Sequence, residues 1–195
     1  MNYPLHISFK AIALSNQGTV TDASDNVIAY VKQKAFKLKE AITVYTDKTQ
    51  STPICTIKAN KIIDFNAQYF FADMDGQPLG SIRRAGARSI WKADYTVLDP
   101  AEQPVMKVNE EKGWVKFVDA LVGEIPIVGI FTGYLFNPSY IVTRPDGTEV
   151  ARIRKRPAML EGKFDIEKLG EIAPEEEMRF LLGCFTAILL ERFRG

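Results

Sequence analysis

Residues 180–190 read FLLGCFTAILL, a run without a charged side chain. Arg179 precedes the run, and Glu191 and Arg192 follow it. At helical spacing these apolar side chains cover every side of the cylinder, and a helix that is apolar all round has to be buried in a protein or in a membrane. The run would be only about 16 Å long, which is too short for a hydrocarbon core of about 30 Å. The sequence therefore predicts a helix over about 175–192 that is buried inside the protein.

Short β-branched and aromatic runs occupy much of the chain before this helix, with turn signals between them at fairly even spacing. We predict about twelve strands, at 6–14, 19–23, 27–34, 41–46, 53–59, 67–73, 78–85, 88–98, 104–109, 140–144, 149–155 and 163–167. A sheet of around eleven strands can close around a helix. The predicted fold is therefore mainly β (α+β), with one domain over 1–195. In it, a closed antiparallel barrel of about twelve strands surrounds the hydrophobic C-terminal helix.

A short pattern recurs along the chain: a turn, an apolar residue, two further positions, a branched apolar residue and then a polar or basic residue. It is found in SDNVIAYVKQ (24–33), DGQPLGSIRR (75–84), AEQPVMKVNE (101–110) and DGTEVARIRK (146–155). Each copy is typical of the outgoing half of a β-hairpin. Because side chains alternate between the two faces of a strand, the pattern predicts inward Val31, Ile82, Val108 and Ile153, and outward Lys32, Arg83, Asn109 and Arg154.

An apolar insertion at about 113–136 interrupts the series of strands. Its first part places apolar residues at helical spacing, which predicts a short helix, and 125–136 carries no charge. The insertion could touch a membrane interface or a protein partner through Trp114, Ile127, Phe131 and Tyr134. The alternative is that it caps one end of the barrel, because it is too short to span a membrane.

Composition excludes several classes of function. The formal net charge is +1, so no general attraction to nucleic acid is expected. The two cysteines, Cys55 and Cys184, are isolated, which argues for a reducing compartment. The N-terminal residues show no apolar signal segment. We expect a cytoplasmic protein without a transmembrane span, which could lie against the inner face of the membrane.

Catalytic and metal-binding motifs are not apparent in the sequence. His6 is the single histidine, and one histidine does not make a typical histidine-rich metal site. Cys184 lies in the apolar helix, where a cysteine behaves as a small hydrophobic residue. Neither GxxxxGK[ST] nor GxGxxG occurs. We therefore predict no catalytic residue, no metal and no cofactor.

Basic side chains are the best candidates for a binding site. They cluster at Lys32, Lys34, Lys37 and Lys39, at Arg83 and Arg84, and around Arg154. If the repeats are in phase, these residues form a belt on the barrel wall that would attract anionic lipid headgroups at about 1 kcal/mol per basic residue. The alternative is a solvated outer face with scattered acidic partners, which the balance of 25 basic against 24 acidic residues favours.

The tail EMRFLLGCFTAILLERF (177–193) resembles the C-terminal helix of phospholipid scramblases. The body resembles the Tubby C-terminal-like superfamily, which includes the plant LURP-one-related proteins. The residues that carry this resemblance are 32–34 (KQK), 37–40 (KLKE), 44–47 (VYTD), 75–76 (DG) with Gly80 and 82–84 (IRR), and 91–95 (WKADY). The resemblance implies a closed twelve-stranded barrel around a central C-terminal helix, in agreement with the strand count.

The resemblance also implies possible functions. Tubby domains bind phosphoinositides through surface Lys and Arg, so a non-enzymatic module for phosphoinositide or other anionic lipid is expected. The alternatives are a protein-interaction or scaffold domain that uses 114–136, and a scramblase-like lipid-handling protein. The stretch that corresponds to the scramblase calcium segment holds only Asp165 and Glu167, interleaved with lysines. Calcium takes about six to eight oxygen ligands, so no calcium site is predicted there.

Overall fold

The computed structural model describes residues 1–12, 15–33, 41–60, 67–85, 93–111, 139–157 and 162–192. Within them the chain forms twelve strands and one helix. The strands are β1 (Leu5–Ile12), β2 (Ser15–Thr21), β3 (Val27–Gln33), β4 (Ile42–Tyr45), β5 (Pro53–Ala59), β6 (Gln68–Asp73), β7 (Pro78–Arg84), β8 (Asp94–Leu98), β9 (Pro104–Glu110), β10 (Ser139–Thr143), β11 (Glu149–Arg156) and β12 (Gly162–Lys168). The helix is α1 (Glu177–Arg192).

Each strand pairs with its neighbours in sequence order, and β1 closes the ring against β12. The closing pair is antiparallel, with Leu5 opposite Ile166 and Phe9 opposite Gly162. A sheet that closes on itself leaves no strand edge unpaired. The prediction of a mainly β fold with a closed antiparallel barrel of about twelve strands is confirmed.

The repeated sequence pattern forms repeated hairpin turns at one end of the barrel, which we call the turn end. In the hairpins that start at Asp22, Asp73 and Asp99, the aspartate accepts hydrogen bonds from the backbone N–H groups two and four residues later. The fourth residue of each turn has a positive φ: Asp25, Gly76 and Glu102, at 62°, 81° and 60°. The turn at 144–148 has the same backbone hydrogen bonds, with a positive φ at Gly147, and the turn at 46–52 is two residues longer, with a positive φ at Gln50. The opposite end, at which β3, β5, β7, β9 and β11 finish, we call the far end.

The helix fills the barrel from the turn end to the far end. Its residues from Phe180 to Leu189 are all buried, which is the outcome expected for a helix that is apolar on every side. The inward side chains predicted from the repeats, Val31, Ile82, Val108 and Ile153, are at most 1 % exposed. Lys32, Arg83 and Arg154 are exposed and Asn109 is half-buried. The alternation read from the sequence is therefore confirmed.

Strand β2 begins at Ser15, four residues before the predicted start at Thr19. The sequence Ser-Asn-Gln-Gly has weak strand propensity, but it pairs with both β1 and β3. Gly18 is required there for steric reasons, since a Cβ atom at this position would lie 2.7 Å from the ring of Phe185. The helix thus determines a residue of the wall that local propensity alone does not explain.

Polar contacts hold the helix at both ends. At the turn end, Arg144 donates two hydrogen bonds of 2.8 Å to the Glu176 carboxylate, and Arg179 donates through Nε to the Leu79 carbonyl at 2.9 Å. At the far end, the Tyr95 hydroxyl donates to Glu191 at 2.6 Å. These bonds add to the apolar packing, such as Phe185 against Gly18, in fixing the position of α1.

Candidate anion-binding surface

The predicted basic residues that the structure describes lie near the far end. Lys32 is one residue from the end of β3, and Arg83 and Arg84 are the last two residues of β7. Arg154 is two residues from the end of β11. The other predicted contact residues, Lys34, Lys37, Lys39, Trp114, Ile127, Phe131 and Tyr134, lie outside the described residues, as does the insertion at 113–136.

Strands β3, β7 and β11 are four strands apart from one another around the closed ring. Neighbouring strands are about 4.8 Å apart, so each separation is roughly 19 Å along the wall. Lys32, Arg83 and Arg154 therefore share one end of the barrel but not one patch. A flat anionic surface that approaches the wall from one side would meet some of them and not the others.

The two ends of the barrel differ in charge. Acidic residues predominate in the turns and in the linker before α1: Asp22, Asp25, Asp47, Asp73, Asp75, Asp99, Glu102, Asp146, Glu171, Glu175 and Glu176, against Lys48 and Arg144. Hydrogen bonds from the Asn26 side chain and from backbone N–H groups hold the pKa of the Asp22 carboxyl below its ordinary value. The turn end is thus a negative surface, whereas the described residues near the far end include Lys32, Arg83 and Arg154 as well as Asp94 and Glu110.

On one part of the wall, several basic side chains lie beside carboxylates. On β11 and β12, Arg154 lies 3.1 Å from Glu167, and Arg156 lies 3.0 Å from Asp165. Asp165 also lies 2.6 Å from Nδ1 of His6 on β1. Both carboxylates that correspond to the scramblase calcium segment are therefore paired with basic groups. Arg152 on the same strand lies 3.4 Å from Glu111.

These pairs contribute little to stability, since exposed ion pairs are worth about 0–1 kcal/mol each. Their effect on recognition is larger, because each arginine already has a carboxylate beside it. Arg154 has Glu167 as such a partner.

The opposite part of the wall carries cations without such partners. Lys32, Lys58, Arg83 and Lys107 are all exposed, and they lie on β3, β5, β7 and β9. No ion pair joins any of these four to another residue within the ranges that the structure describes. We call these four residues the unpaired-cation wall.

Arg83 and Lys107 lie in one row across the sheet, since both are opposite Thr96 of the intervening strand β8. Two strand spacings separate them, or roughly 10 Å. Lys58 faces Phe70 across the β5–β6 pair. The Phe70 side chain is 39 % exposed. The wall therefore combines cations with an apolar side chain on one continuous sheet.

Sequence reasoning missed Lys58, Lys107 and Phe70. Strict alternation within PICTIKA (53–59) and PVMKVNE (104–110) would have placed both lysines outward. Phe70 gave a weaker signal, because the sequence YFF (69–71) does not show which of its aromatic residues faces water.

The buried side chains of α1 and of the described strands form one continuous apolar core. A residual apolar cavity of about 10 Å³ lies between α1 and strands β2–β4, next to Leu181, Leu182 and Phe185. That volume is about the smallest that can hold one water molecule, and the lining offers it no polar partner. Burial raises the pKa of the Cys55 thiol to about 12 and raises that of Cys184 as well, so both thiols stay protonated at neutral pH.

A closed twelve-stranded antiparallel barrel around a C-terminal helix defines a protein of the Tubby-like class. A family model described as LURP-one-related matches residues 27–188, from the first residue of β3 to the last third of α1. The chain therefore belongs to the LURP-one-related family.

A crystal structure of a protein from Arabidopsis thaliana is similar to this chain at 14 % sequence identity and a TM-score of 0.49. The similarity covers 97 % of this chain and 91 % of the Arabidopsis chain. A search of curated proteins returns no significant match. In the described part of the chain, no helix has the length and apolar character needed to cross a bilayer.

Proposed function

We propose that this protein is a non-enzymatic binding module that recognises anionic lipid, phosphoinositides among them, at the cytoplasmic face of a membrane. The observation that carries the proposal is the unequal distribution of charge pairing around the wall. Lys32, Lys58, Arg83 and Lys107 are exposed and unpaired among the described residues, whereas Arg154 and Arg156 already have carboxylate partners.

Charge pairing with phosphate is the mechanism. An anionic membrane attracts each basic residue near its surface with about 1 kcal/mol, and this attraction decays over a Debye length of about 10 Å at 0.1 M salt. An arginine that is already paired gains less, because a new phosphate competes with its own carboxylate. Of the basic residues predicted from the sequence, we propose that Lys32 and Arg83 contribute more than Arg154. Lys34, Lys37, Lys39 and Arg84 stay predicted participants.

Vesicle flotation tests the proposal. The protein is mixed with phosphatidylcholine vesicles alone, with phosphatidylserine added, or with a phosphoinositide added at matched charge, each at low and high salt. We expect binding to anionic vesicles that weakens as salt is raised. Equal binding at matched charge indicates recognition of anionic lipid in general, and stronger binding to the phosphoinositide indicates headgroup selectivity. No salt-sensitive binding to any mixture would refute the proposal.

Two matched double variants locate the surface. The variant Arg83→Gln/Lys107→Gln removes two unpaired cations, and Arg154→Gln/Arg156→Gln removes two paired ones, so both change the net charge equally. At about 1 kcal/mol per residue, the first variant should bind anionic vesicles roughly 30-fold more weakly at low salt. The second should bind nearly as well as the unmodified protein. Equal losses would show that the overall charge matters and that the position on the wall does not.

A further inference from the structure

Phe70 differs from the other exposed apolar side chains of the described residues. Met1, Met74 and Leu169 are also exposed large hydrophobic residues, but each adjoins the turn end, where acidic residues predominate. Phe70 lies on the outward face of β6. No aromatic ring in the described ranges packs against it. It is therefore an apolar side chain on the wall itself, away from the negative end.

Cations surround Phe70 on both neighbouring strands. Lys58 is directly opposite on β5. Arg83 on β7 is diagonal to it, since Ser81 is opposite Phe70 and Gln68 is opposite Arg83. Side chains directly opposite have Cβ atoms about 5 Å apart, and diagonal neighbours about 7–8 Å apart. The aromatic ring and the two charged groups can therefore reach one planar surface together.

We propose that Phe70 enters the headgroup region of an anionic bilayer, with Lys58 and Arg83 on phosphates to either side. The barrel then lies tilted, with the far-end halves of β5–β9 against the membrane and the acidic turn end raised away from the lipid. Lys32 on β3 lies beside this contact. This inference rests on the proposed function and adds an insertion residue and an orientation to it. Apolar side chains flanked by Lys and Arg are the combination that binds at membrane interfaces.

Charge complementarity identifies an anionic bilayer as the surface that contacts Phe70. On β11, Arg154 and Arg156 already lie beside Glu167 and Asp165 of β12. The turn end carries acidic groups that an anionic surface repels, so Met74 and Leu169 stay in water. Phe70 is the described exposed apolar side chain that has Lys58 directly opposite and Arg83 diagonal to it.

Two variants of Phe70 test its contribution to affinity. Because the ring is already partly covered, Phe70→Ala should weaken binding by roughly threefold to fivefold. The loss should be the same at low and high salt, because burial of apolar area does not depend on ionic strength. Arg83→Gln should weaken binding at low salt only. Phe70→Trp should bind at least as strongly as the unmodified protein, since Trp is favoured at the membrane–water interface.

A fluorescent label tests the orientation. Cys55 and Cys184 are buried, so a thiol-reactive, environment-sensitive dye should label an introduced cysteine selectively. The reporter is Phe70→Cys, and the control is Ser8→Cys on β1, five strands away around the ring. With phosphatidylserine vesicles, the emission of the dye at position 70 should shift to the blue and intensify, while that of the dye at position 8 should not change.

The outcomes separate the two proposals. If flotation succeeds and the dye at position 70 stays in water, Phe70 insertion is wrong although anionic lipid binding stands. If the dye at position 8 shifts instead, the membrane meets the opposite wall and the orientation is wrong. If the protein floats with no anionic vesicle, the proposed function itself is wrong. Thr96→Cys, between Arg83 and Lys107, is a second reporter that retains Phe70 and should shift with it.

Discussion

The hydroxyl of Thr186 is a direct probe of the interior of the barrel. The side chain is 1 % exposed and lies on α1 among apolar residues. Its Oγ1 atom has no hydrogen-bond partner within the described residues. A buried polar group without a partner costs about 1–3 kcal/mol. Thr186→Val replaces this hydroxyl with a methyl group of similar size, so it should stabilise the protein although it is a substitution in the core.

The expected gain is about 1–2 kcal/mol, because Thr and Val have similar helix propensities and the added methyl group is buried. For a chain of this size, 1 kcal/mol corresponds to roughly 2–4 °C in Tm. Urea denaturation followed by far-UV circular dichroism measures the difference. Thr186→Ser is the matched control: it keeps the hydroxyl and loses the methyl group, so it should destabilise by about 1 kcal/mol.

A destabilised Thr186→Val variant would refute the reasoning. It would mean that the hydroxyl has a partner, either water or a bound molecule inside the barrel. The interior would then hold a polar site, and the interpretation of α1 as a filling of purely apolar contacts would be wrong. The experiment therefore tests the assumption that recognition takes place on the outer wall.

Three further predictions concern the helix and the buried core around it. The bidentate bond from Arg144 lowers the pKa of Glu176, so this pair stabilises the fold above the ordinary pKa of a glutamate, and the stabilisation is lost as pH falls through the lowered value. In urea denaturation, Glu176→Gln should lower the free energy of unfolding by about 1–3 kcal/mol at neutral pH. In acid, the variant and the unmodified protein should have the same free energy of unfolding. A difference that persists in acid would contradict this account. Gly183→Ala should lower the free energy of unfolding despite the better helix propensity of alanine, because the new Cβ would lie 2.9 Å from Val97 Cγ2. In the double variant, Val97→Ala should relieve this clash. If the losses of the two single variants simply add, the contact is not the cause. Cys55 and Cys184 should resist a thiol reagent at pH 8 in the native protein and react fully in denaturant, because burial raises both pKa values; rapid native labelling would show that the interior opens.

The fold was largely predictable from the sequence because its determinants are periodic. The uncharged run at 180–190 predicts the helix Glu177–Arg192, because an exposed helix would have a polar face. Alternation of apolar and polar residues predicts the strands, and Asp and Gly at fixed positions between them predict the turns. Both signals are local, so they can be recognised without knowing which residues are in contact in the fold. The start of β2 was predicted four residues too late, because Gly18 fits against Phe185 of a helix that comes much later in the chain.

The candidate site was only partly predictable because charge pairing is not local. Arg154 and Arg83 look alike in sequence, since each follows a branched apolar residue in the same repeat. They differ in what the neighbouring strand presents: Glu167 on β12 lies 3.1 Å from Arg154, while Arg83 is opposite Gln68 and Thr96. Register across strands decides which cation is free, and register is a property of the closed sheet.

The closed barrel also separates stability from recognition. Inward residues such as Val31 and Ile82 are buried in the core that includes α1, whereas Lys58, Arg83 and Lys107 are exposed on the outer face of β5, β7 and β9. Exposed substitutions away from such contacts usually change stability by less than about 0.5 kcal/mol. Changes at Lys58, Arg83 and Lys107 should therefore alter binding without altering the fold. A wall of this kind can acquire or lose affinity for an anionic surface one strand at a time, because each outward position is independent of the packing behind it.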